Sequence, residues 1–411
     1  MKTLDELTRR HEALRAEGLD LDMRRGQPSD ADFDLSNPLL SAVGPDDIHS
    51  EDGFDVRNYP GGPLGLVEIR RVFAALWGVD AERVMVRNNA SLELMAQVLM
   101  WARLVGVGGA PWGEGARLMV TVPGYDRHFT LLAELGFELE TVPMTADGPD
   151  PEAVAAAAKD PAVKGMLFVP NYSNPSGEVL SEAVARQLLS VDAAAPDFTM
   201  FADDAYRIHH LGQPPVMVEL LGLARELGVP DRIMVFGSTS KVTFASGGLG
   251  FVMANDTAWL EGRFSATSIG PNKVEQLRHA RFFRNYEGGV EALMRAHAAL
   301  IAPKFAAVSA ALATELGPVG ENGLARWSEP SGGYFVTLWT ERPVASRVVE
   351  LAAELGVKLT PAGATHPGGV DPENRTLRLA PTRPPLRQVE RAMEVVAHCV
   401  HLASAEHDAK S

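Results

Sequence analysis

The sequence predicts an α/β fold: a large domain with a mostly parallel central sheet flanked by helices, plus a smaller α+β domain. Three observations lead there. From about residue 63 helical and strand-like patterns alternate, as they do when each parallel strand is covered by the helix that follows it. The strand-like runs are short and uniformly apolar, the pattern of strands buried on both faces. After Leu300 the character changes to long alanine-rich helical stretches around two short strand-like runs.

Taken in order, Thr3-Leu4-Asp5-Glu6 reads as a capping box that opens a helix with Leu4, Leu7 and Leu14 on one side. The Asp-, Gly- and Pro-rich stretch that continues to about residue 60 reads as an arm. Buried strands are expected at 83–86, 118–122, 165–169, 199–202 and 233–236, and helices at 64–77, 91–104 and 182–189. Residues 106–115 are a glycine-rich connector. Beyond Leu300 the strand-like runs are 333–338 and 376–379. The expected division is a large domain of residues 51–299, with 1–50 and 300–411 forming the N-terminal arm and small domain.

A chain of 411 residues, 46% of them hydrophobic, can bury a large core. Its net charge of -15, without a cluster of Lys and Arg, argues against nucleic acid as a partner. Its apolar stretches are interrupted before the roughly 18–20 residues a membrane span needs, and its start lacks a signal-peptide pattern. No membrane association is expected, and the cytoplasm is the expected location. The single cysteine, Cys399, falls among Leu386, Val389, Met393, Val396 and Val400, the buried stripe of a last helix, and reads as core filler.

In open α/β sheets ligands bind at the carboxyl ends of the strands, so the residues that follow each strand are the first to consider. After 233–236 comes Gly237-Ser238-Thr239-Ser240-Lys241; after 199–202 comes Asp203-Asp204-Ala205-Tyr206. After 165–169 comes Pro170-Asn171-Tyr172-Ser173-Asn174-Pro175-Ser176-Gly177, and after 83–86 comes Arg87-Asn88-Asn89-Ala90-Ser91. Each has an ordinary reading: a surface lysine, a helix cap, a turn, a βα loop. The last also presents free N–H groups and the positive end of a helix dipole, which suits a phosphate.

In this order, Asn-Pro-Ser-Gly, Asp-x-x-Tyr and Ser-x-x-Lys resemble the fold type I pyridoxal-phosphate aminotransferases, with an aspartate aminotransferase-like fold. The resemblance covers about residues 25–385 and implies a transferase of amino groups that uses pyridoxal 5'-phosphate. Lys241 matches the Schiff-base lysine and general base, and Asp203 the carboxylate that keeps the pyridine nitrogen protonated. Tyr206 and Asn174 match the groups on the ring's phenolic oxygen, Tyr125 the aromatic on the ring face, and Ala90, Ser91 and Ser238 the phosphate positions. Tyr59, in Asn58-Tyr59-Pro60-Gly61-Gly62, resembles the tyrosine that reaches the neighbouring subunit's phosphate, which implies a homodimer with shared sites. Arg378 matches the arginine that grips the substrate α-carboxylate, and Gly26 the arm residue that lies over the substrate.

One position departs from the family. Members carry a phosphate-binding arginine eight residues after the lysine, where this chain has Leu249. Another cation, with Arg87 as a candidate, or neutral donors must replace it, as in a divergent aspartate aminotransferase-like subgroup. For an acidic substrate side chain the candidate cations are Arg263, Lys273 and Arg278, each of which also fits a solvated helical face. The resemblance favours aspartate or glutamate as donor and 2-oxoglutarate as acceptor. A β-lyase or an aromatic or kynurenine-type aminotransferase shares the same lysine and fold, and a non-catalytic cofactor-sensing domain would need a DNA-binding segment that the first 50 residues do not show. His209 and His210 have no spaced third ligand, so no metal is expected.

Overall fold

A computed structural model of the chain describes residues 3–59, 61–87, 89–321 and 323–410. Pro60 and Asn88, which stand in two of the motifs above, lie outside the described residues. The strands are β1 Leu21–Asp22, β2 Val84–Arg87, β3 Arg117–Val122, β4 Glu138–Thr145, β5 Gly148–Pro149, β6 Val163–Phe168 and β7 Thr199–Asp203. They continue with β8 Ile233–Ser238, β9 Gly250–Met253, β10 Ala325–Trp327, β11 Val336–Thr340, β12 Val357–Lys358 and β13 Thr376–Leu379.

The main sheet has the order β2-β9-β8-β7-β6-β3-β4-β5. The pairs β8/β7, β7/β6, β6/β3 and β3/β4 are parallel, and β9 runs antiparallel to both β8 and β2. The five expected strands of this sheet are present, within two residues at either end, because β2, β6, β7, β8 and most of β3 are buried and therefore uniformly apolar. Three strands of this sheet were not anticipated: β4, β9 and the two-residue β5. β4, near the sheet's edge, buries only Val142 and so lacks an apolar run, and β9 is only four residues long behind a glycine-rich turn. β9 is nonetheless central to packing: its Phe251 stacks on Phe73 at 4.1 Å and meets Trp77 edge-on at 4.9 Å, fastening the helix Val67–Trp77 to the sheet.

A second core forms around the antiparallel sheet β10-β11-β13 and the helices Ala345–Glu354 and Leu386–Asp408. The first helix, Leu4–Arg15, carries the expected capping box and joins this core through Leu7 and Leu14, whereas Leu4 is 38% exposed and His11 takes the third inward position. β1 pairs in parallel with β12, so the chain's beginning is stitched to the second core, while Leu39 already packs in the first. Cys399 is buried among the apolar residues of the last helix, and burial pushes its thiol well above the ordinary range.

The two cores share the helix Gly289–Leu316. Its Val290, Leu293 and Met294 pack in the first core; its Phe305, Val308, Leu312 and Leu316 pack in the second. The change of composition at Leu300 therefore falls inside one continuous helix. By length and composition alone this helix is long and apolar enough to cross a membrane, but Pro303 and Lys304 interrupt its apolar run and its buried residues are divided between the two cores.

Asp204, fully buried beside the first core, ties several elements to β7. It accepts from Trp77 Nε1 at 2.9 Å and Asn171 Nδ2 at 2.7 Å and pairs with Arg207 at 3.4 Å. Burial pushes its carboxyl up to about 6, against the pull of Arg207 and the hydrogen bonds. The folded value is above the unfolded one, so the carboxyl's titration stabilises the fold at low pH, and that contribution is lost as pH rises through about 6. In urea unfolding, the cost of Asp204→Asn is expected to be about 2 kcal/mol larger at pH 4.5 than at pH 7. A cost that does not vary with pH would show that the carboxyl is ionised throughout.

Candidate functional site

Because β2, β3, β6, β7 and β8 point the same way, the loops that follow them converge on one edge of the sheet. Asp203 ends β7 and is buried. Its Oδ2 accepts from His128 Nε2 at 3.0 Å, and its Oδ1 is buried with no hydrogen-bond partner. His128 belongs to the helix Asp126–Glu134, which opens directly after Tyr125.

Lys241 lies in a tight turn beyond β8, where Thr239 O accepts from both Val242 N and Thr243 N at 2.9 Å. Its Nζ is 5.2 Å from the centre of the Tyr206 ring and 5.9 Å from that of Tyr334. Burial lowers the Lys241 pKa and the charge of Asp203 opposes this. The phenol of Tyr206 is raised well above its ordinary value by burial, then by Tyr125 and Asp203, so it stays neutral. Tyr125, pushed up to about 12 by burial and by Asp203, also stays neutral and meets His128 edge-on at 5.0 Å.

Arg378, on β13, reaches across from the second core. Its Nη1 donates to Asp126 Oδ1 at 2.7 Å and to Asn174 Oδ1 at 3.5 Å, and the guanidinium lies 5.0 Å over the Phe335 ring. Its Nε is buried without a partner, as is Asn174 Nδ2. One edge of the guanidinium is thus held by protein, while the Nε–Nη2 edge has no partner among the described residues and matches a carboxylate's two oxygens. Gly26 approaches the tip of the Phe335 ring: a Cβ there would stand 2.3 Å from Phe335 Cζ, so the arm passes only because it has no side chain at this point.

At the far end, Ala90 caps the helix Ser91–Val105, whose first N–H groups have no partner within the helix. Ser238, the last residue of β8, is buried beside it. The Asn89 side chain fixes this loop to the neighbouring one, accepting from Gly248 N at 2.9 Å and donating to Ala245 O at 3.3 Å. Gly250 permits the contact, since a Cβ there would meet Ala90 O at 2.8 Å. Leu249 is buried in the first core. Arg87 is buried at the end of β2, across the ladder from Gly250, with Nη1 on Pro63 O at 3.1 Å and its guanidinium 4.8 Å over Phe264. Lys273 is buried too, its Nζ on Tyr59 O at 2.8 Å. Among the described residues neither cation has a carboxylate within 4.0 Å. Arg278, by contrast, is neutralised by Glu275 at 2.9 Å, and Arg263 lies 5.9 Å over Trp101.

The whole chain, residues 1–411, matches the family model described as aspartate amino-transferase. It is 44% identical over 410 residues to an aspartate aminotransferase of Corynebacterium glutamicum, covering 98% of this chain and 94% of that one. The crystal structure of an aspartate transaminase from the same organism superposes with a TM-score of 0.94 at 44% identity over 98% of this chain and 96% of that chain. The fold extends to the alpha-aminoadipate aminotransferase of Thermus thermophilus, with a TM-score of 0.75 at 20% identity over 94% of this chain and 93% of that chain. The chain belongs to the aspartate aminotransferase family. It is an α/β aminotransferase of fold type I, as the motifs implied.

Within this aminotransferase the structure brings Lys241, Asp203, Tyr206, Tyr125, Asn174 and Arg378 into one set of contacts, with Gly26 against Phe335 and with Ala90, Ser91 and Ser238 at its end. Tyr59 stands apart: it is 66% exposed. His209 is buried between Tyr206 and Tyr334, and His210 Nδ1 bonds Tyr172 OH at 2.7 Å. Sequence reasoning missed His128, Asp126, Tyr334 and Phe335. His128 alone carried a usable signal, one helical turn beyond Tyr125. Because a lysine cannot present a planar fork, Arg378→Lys is expected to raise the KM for the amino-acid substrate by about 100-fold, about 3 kcal/mol, with a smaller change in kcat. Steady-state kinetics on the purified protein reads this, and an unchanged KM would remove Arg378 from substrate binding.

Proposed function

We propose that this enzyme holds pyridoxal 5'-phosphate on Lys241 and moves the amino group of aspartate or glutamate to 2-oxoglutarate, in the cytoplasm and as a homodimer. The observation that carries the reading is a set of buried polar atoms left without partners beside Lys241: Asp203 Oδ1, Asn174 Nδ2 and Arg378 Nε. Buried groups of this kind are costly unless something satisfies them. An acceptor, a donor and half of a carboxylate fork fit a pyridinium N–H, a ring oxygen and a substrate α-carboxylate. When bound, the cofactor supplies an aldehyde that condenses with an amine and a ring that takes up the electron pair released at the substrate α-carbon.

The chain's own residues do the rest. Asp203 offers Oδ1 to the ring nitrogen while His128 holds Oδ2, so the carboxylate cannot turn away. Tyr206 and Asn174 are the donors to the ring oxygen, and Tyr125 is the aromatic on the ring face. Lys241 Nζ, which burial makes easier to deprotonate, would accept the proton released at the substrate α-carbon and deliver it to the bound cofactor. The N–H groups at Ala90 and Ser91, with the Ser238 hydroxyl, hold the phosphate. Residues 51–299 form the lobe that seats the cofactor, with 1–50 and 300–411 closing over it, and Tyr59 extends from the surface toward a second copy.

Arg87 and Lys273 are two buried cations with only carbonyl partners, and two anions balance them: the cofactor phosphate at Arg87 and the distal carboxylate of the substrate at Lys273. Arg87→Gln is expected to weaken binding of pyridoxal 5'-phosphate about tenfold, about 1.4 kcal/mol, and to leave pyridoxal unaffected. Lys273→Gln is expected to raise the KM for aspartate about tenfold and not that for alanine. Equal effects within each pair would break these assignments.

The cofactor reading is tested by the absorbance spectrum with and without aspartate. A visible band that is lost in Lys241→Ala and that bleaches with aspartate is the expected result. A Lys241-dependent band unmoved by aspartate would redirect the substrate search to another fold type I reaction. No band after addition of pyridoxal phosphate would overturn the reading.

A further inference from the structure

Behind the Lys241 turn lies a buried polar chain that touches neither the cleft nor any group assigned above. Val242 O, the carbonyl next to the lysine, accepts from His297 Nε2 at 3.0 Å and from Ser36 Oγ at 3.3 Å. The other ring nitrogen of His297 faces Asp32 Oδ1 at 2.9 Å. Asp32 Oδ2 in turn accepts from Ser29 N at 2.9 Å and Ser29 Oγ at 2.5 Å. Asp32 is fully buried and His297 nearly so.

The proton positions follow from the acceptors. A carbonyl can only accept, so His297 Nε2 carries a hydrogen. At Nδ1 a proton then belongs either to the imidazole or to Asp32. Two donors from Ser29 already converge on the carboxylate. Burial alone would raise the Asp32 pKa, yet the hydrogen bonds from His297 and Ser29 more than offset it and the net direction is down. Whichever of the two holds it, one hydrogen lies between Nδ1 and Oδ1, so Asp32 fixes the His297 ring with Nε2 donating to Val242 O.

A buried polar pair contributes little to stability compared with an apolar pair of similar size, and what this one supplies is fixed geometry. Three parts of the molecule meet here. Ser29, Asp32 and Ser36 belong to the arm that passes Gly26 against Phe335; His297 lies on the helix shared by both cores; Val242 belongs to the lysine's turn. We propose that Asp32 and His297 are positioning residues for Lys241, holding its turn through the Val242 carbonyl and coupling the lysine's orientation to the seating of the arm. This rests on the assignment of Lys241 as the reacting amine.

The test uses the full-length enzyme loaded with pyridoxal phosphate, and in parallel the cofactor-free protein. Asp32→Asn and His297→Leu are expected to lower kcat about tenfold with KM for aspartate changed less than threefold. His297→Gln, whose amide can still donate to Val242 O, should retain at least a third of the activity, and Ser36→Ala, which removes one of two donors and threatens folding least, should fall in between. In the cofactor-free protein, reductive methylation of Lys241 read by mass spectrometry should speed up at least threefold in Asp32→Asn, with exposed Lys159 unchanged as the reference. Folded variants with wild-type kcat and wild-type labelling would overturn the proposal. So would a His297→Gln variant as impaired as His297→Leu. A wild-type protein without a Lys241-dependent band would instead overturn the cofactor reading, while the labelling ratio would still report whether the turn is held.

Discussion

Two carboxylates follow one another at the end of β7, and both are taken out of water. Successive side chains on a strand point to opposite sides, so Asp203 and Asp204 face different surroundings and must be compensated separately. Asp204 is satisfied by Trp77, Asn171 and Arg207, and in return it fastens a helix and the loop after β6 to the sheet. Asp203 is satisfied at one oxygen only, by His128. The arrangement around the site follows from that asymmetry. The structural carboxyl uses up its neighbours, and the other keeps an oxygen for a ligand.

The same division recurs at Arg378 and Asn174. Each uses part of its hydrogen-bonding capacity on the protein, which fixes its orientation, and keeps a buried remainder. A group with no protein partner would turn freely, and one fully satisfied could bind nothing. Leaving one atom open in a dry environment places a charge or dipole where little reorganisation is needed when a substrate arrives.

How far this was legible in the sequence depends on what each signal measures. The strands that carry Asp203, Ser238 and Asn174 were readable because burial on both faces makes them uniformly apolar. β9 was not, since its apolar run continues directly from the glycine-rich stretch 246–250 and has no separate start, although Phe251 makes it the packing centre for Phe73 and Trp77. Lys241, Asp203, Tyr206, Asn174, Ala90 and Ser91 drew attention because they follow strand ends, whereas Arg378, Gly26 and Tyr59 were named through the family resemblance alone. His128 and Phe335 act from within elements, and their role depends on which face meets Asp203 or Arg378, which is a tertiary fact. The arm was recognised, but not its seat: Asp32 and His297 are 265 residues apart in the chain, and nothing local to either announces the other. Likewise the two cores looked separable at Leu300, where in fact one helix continues through both.

That helix bears on how the enzyme can move. An element with Val290 and Leu293 in one core and Val308 and Leu312 in the other transmits rigid-body displacement, since packed side chains have few alternative arrangements. Between those two ends it presents His297 to the back of the lysine turn and to the arm. Pro303 lies in the same stretch, where a missing backbone donor weakens the helical ladder. Pro303 lies on the second-core side of His297, so the missing hydrogen bond falls outside the stretch that joins His297 to the first core. The back of the Lys241 turn and the arm are thus tied to the helix on the first-core side of Pro303, whereas Arg378 stands on β13 of the second core, so the two sides of the site are held by different cores joined through one helix.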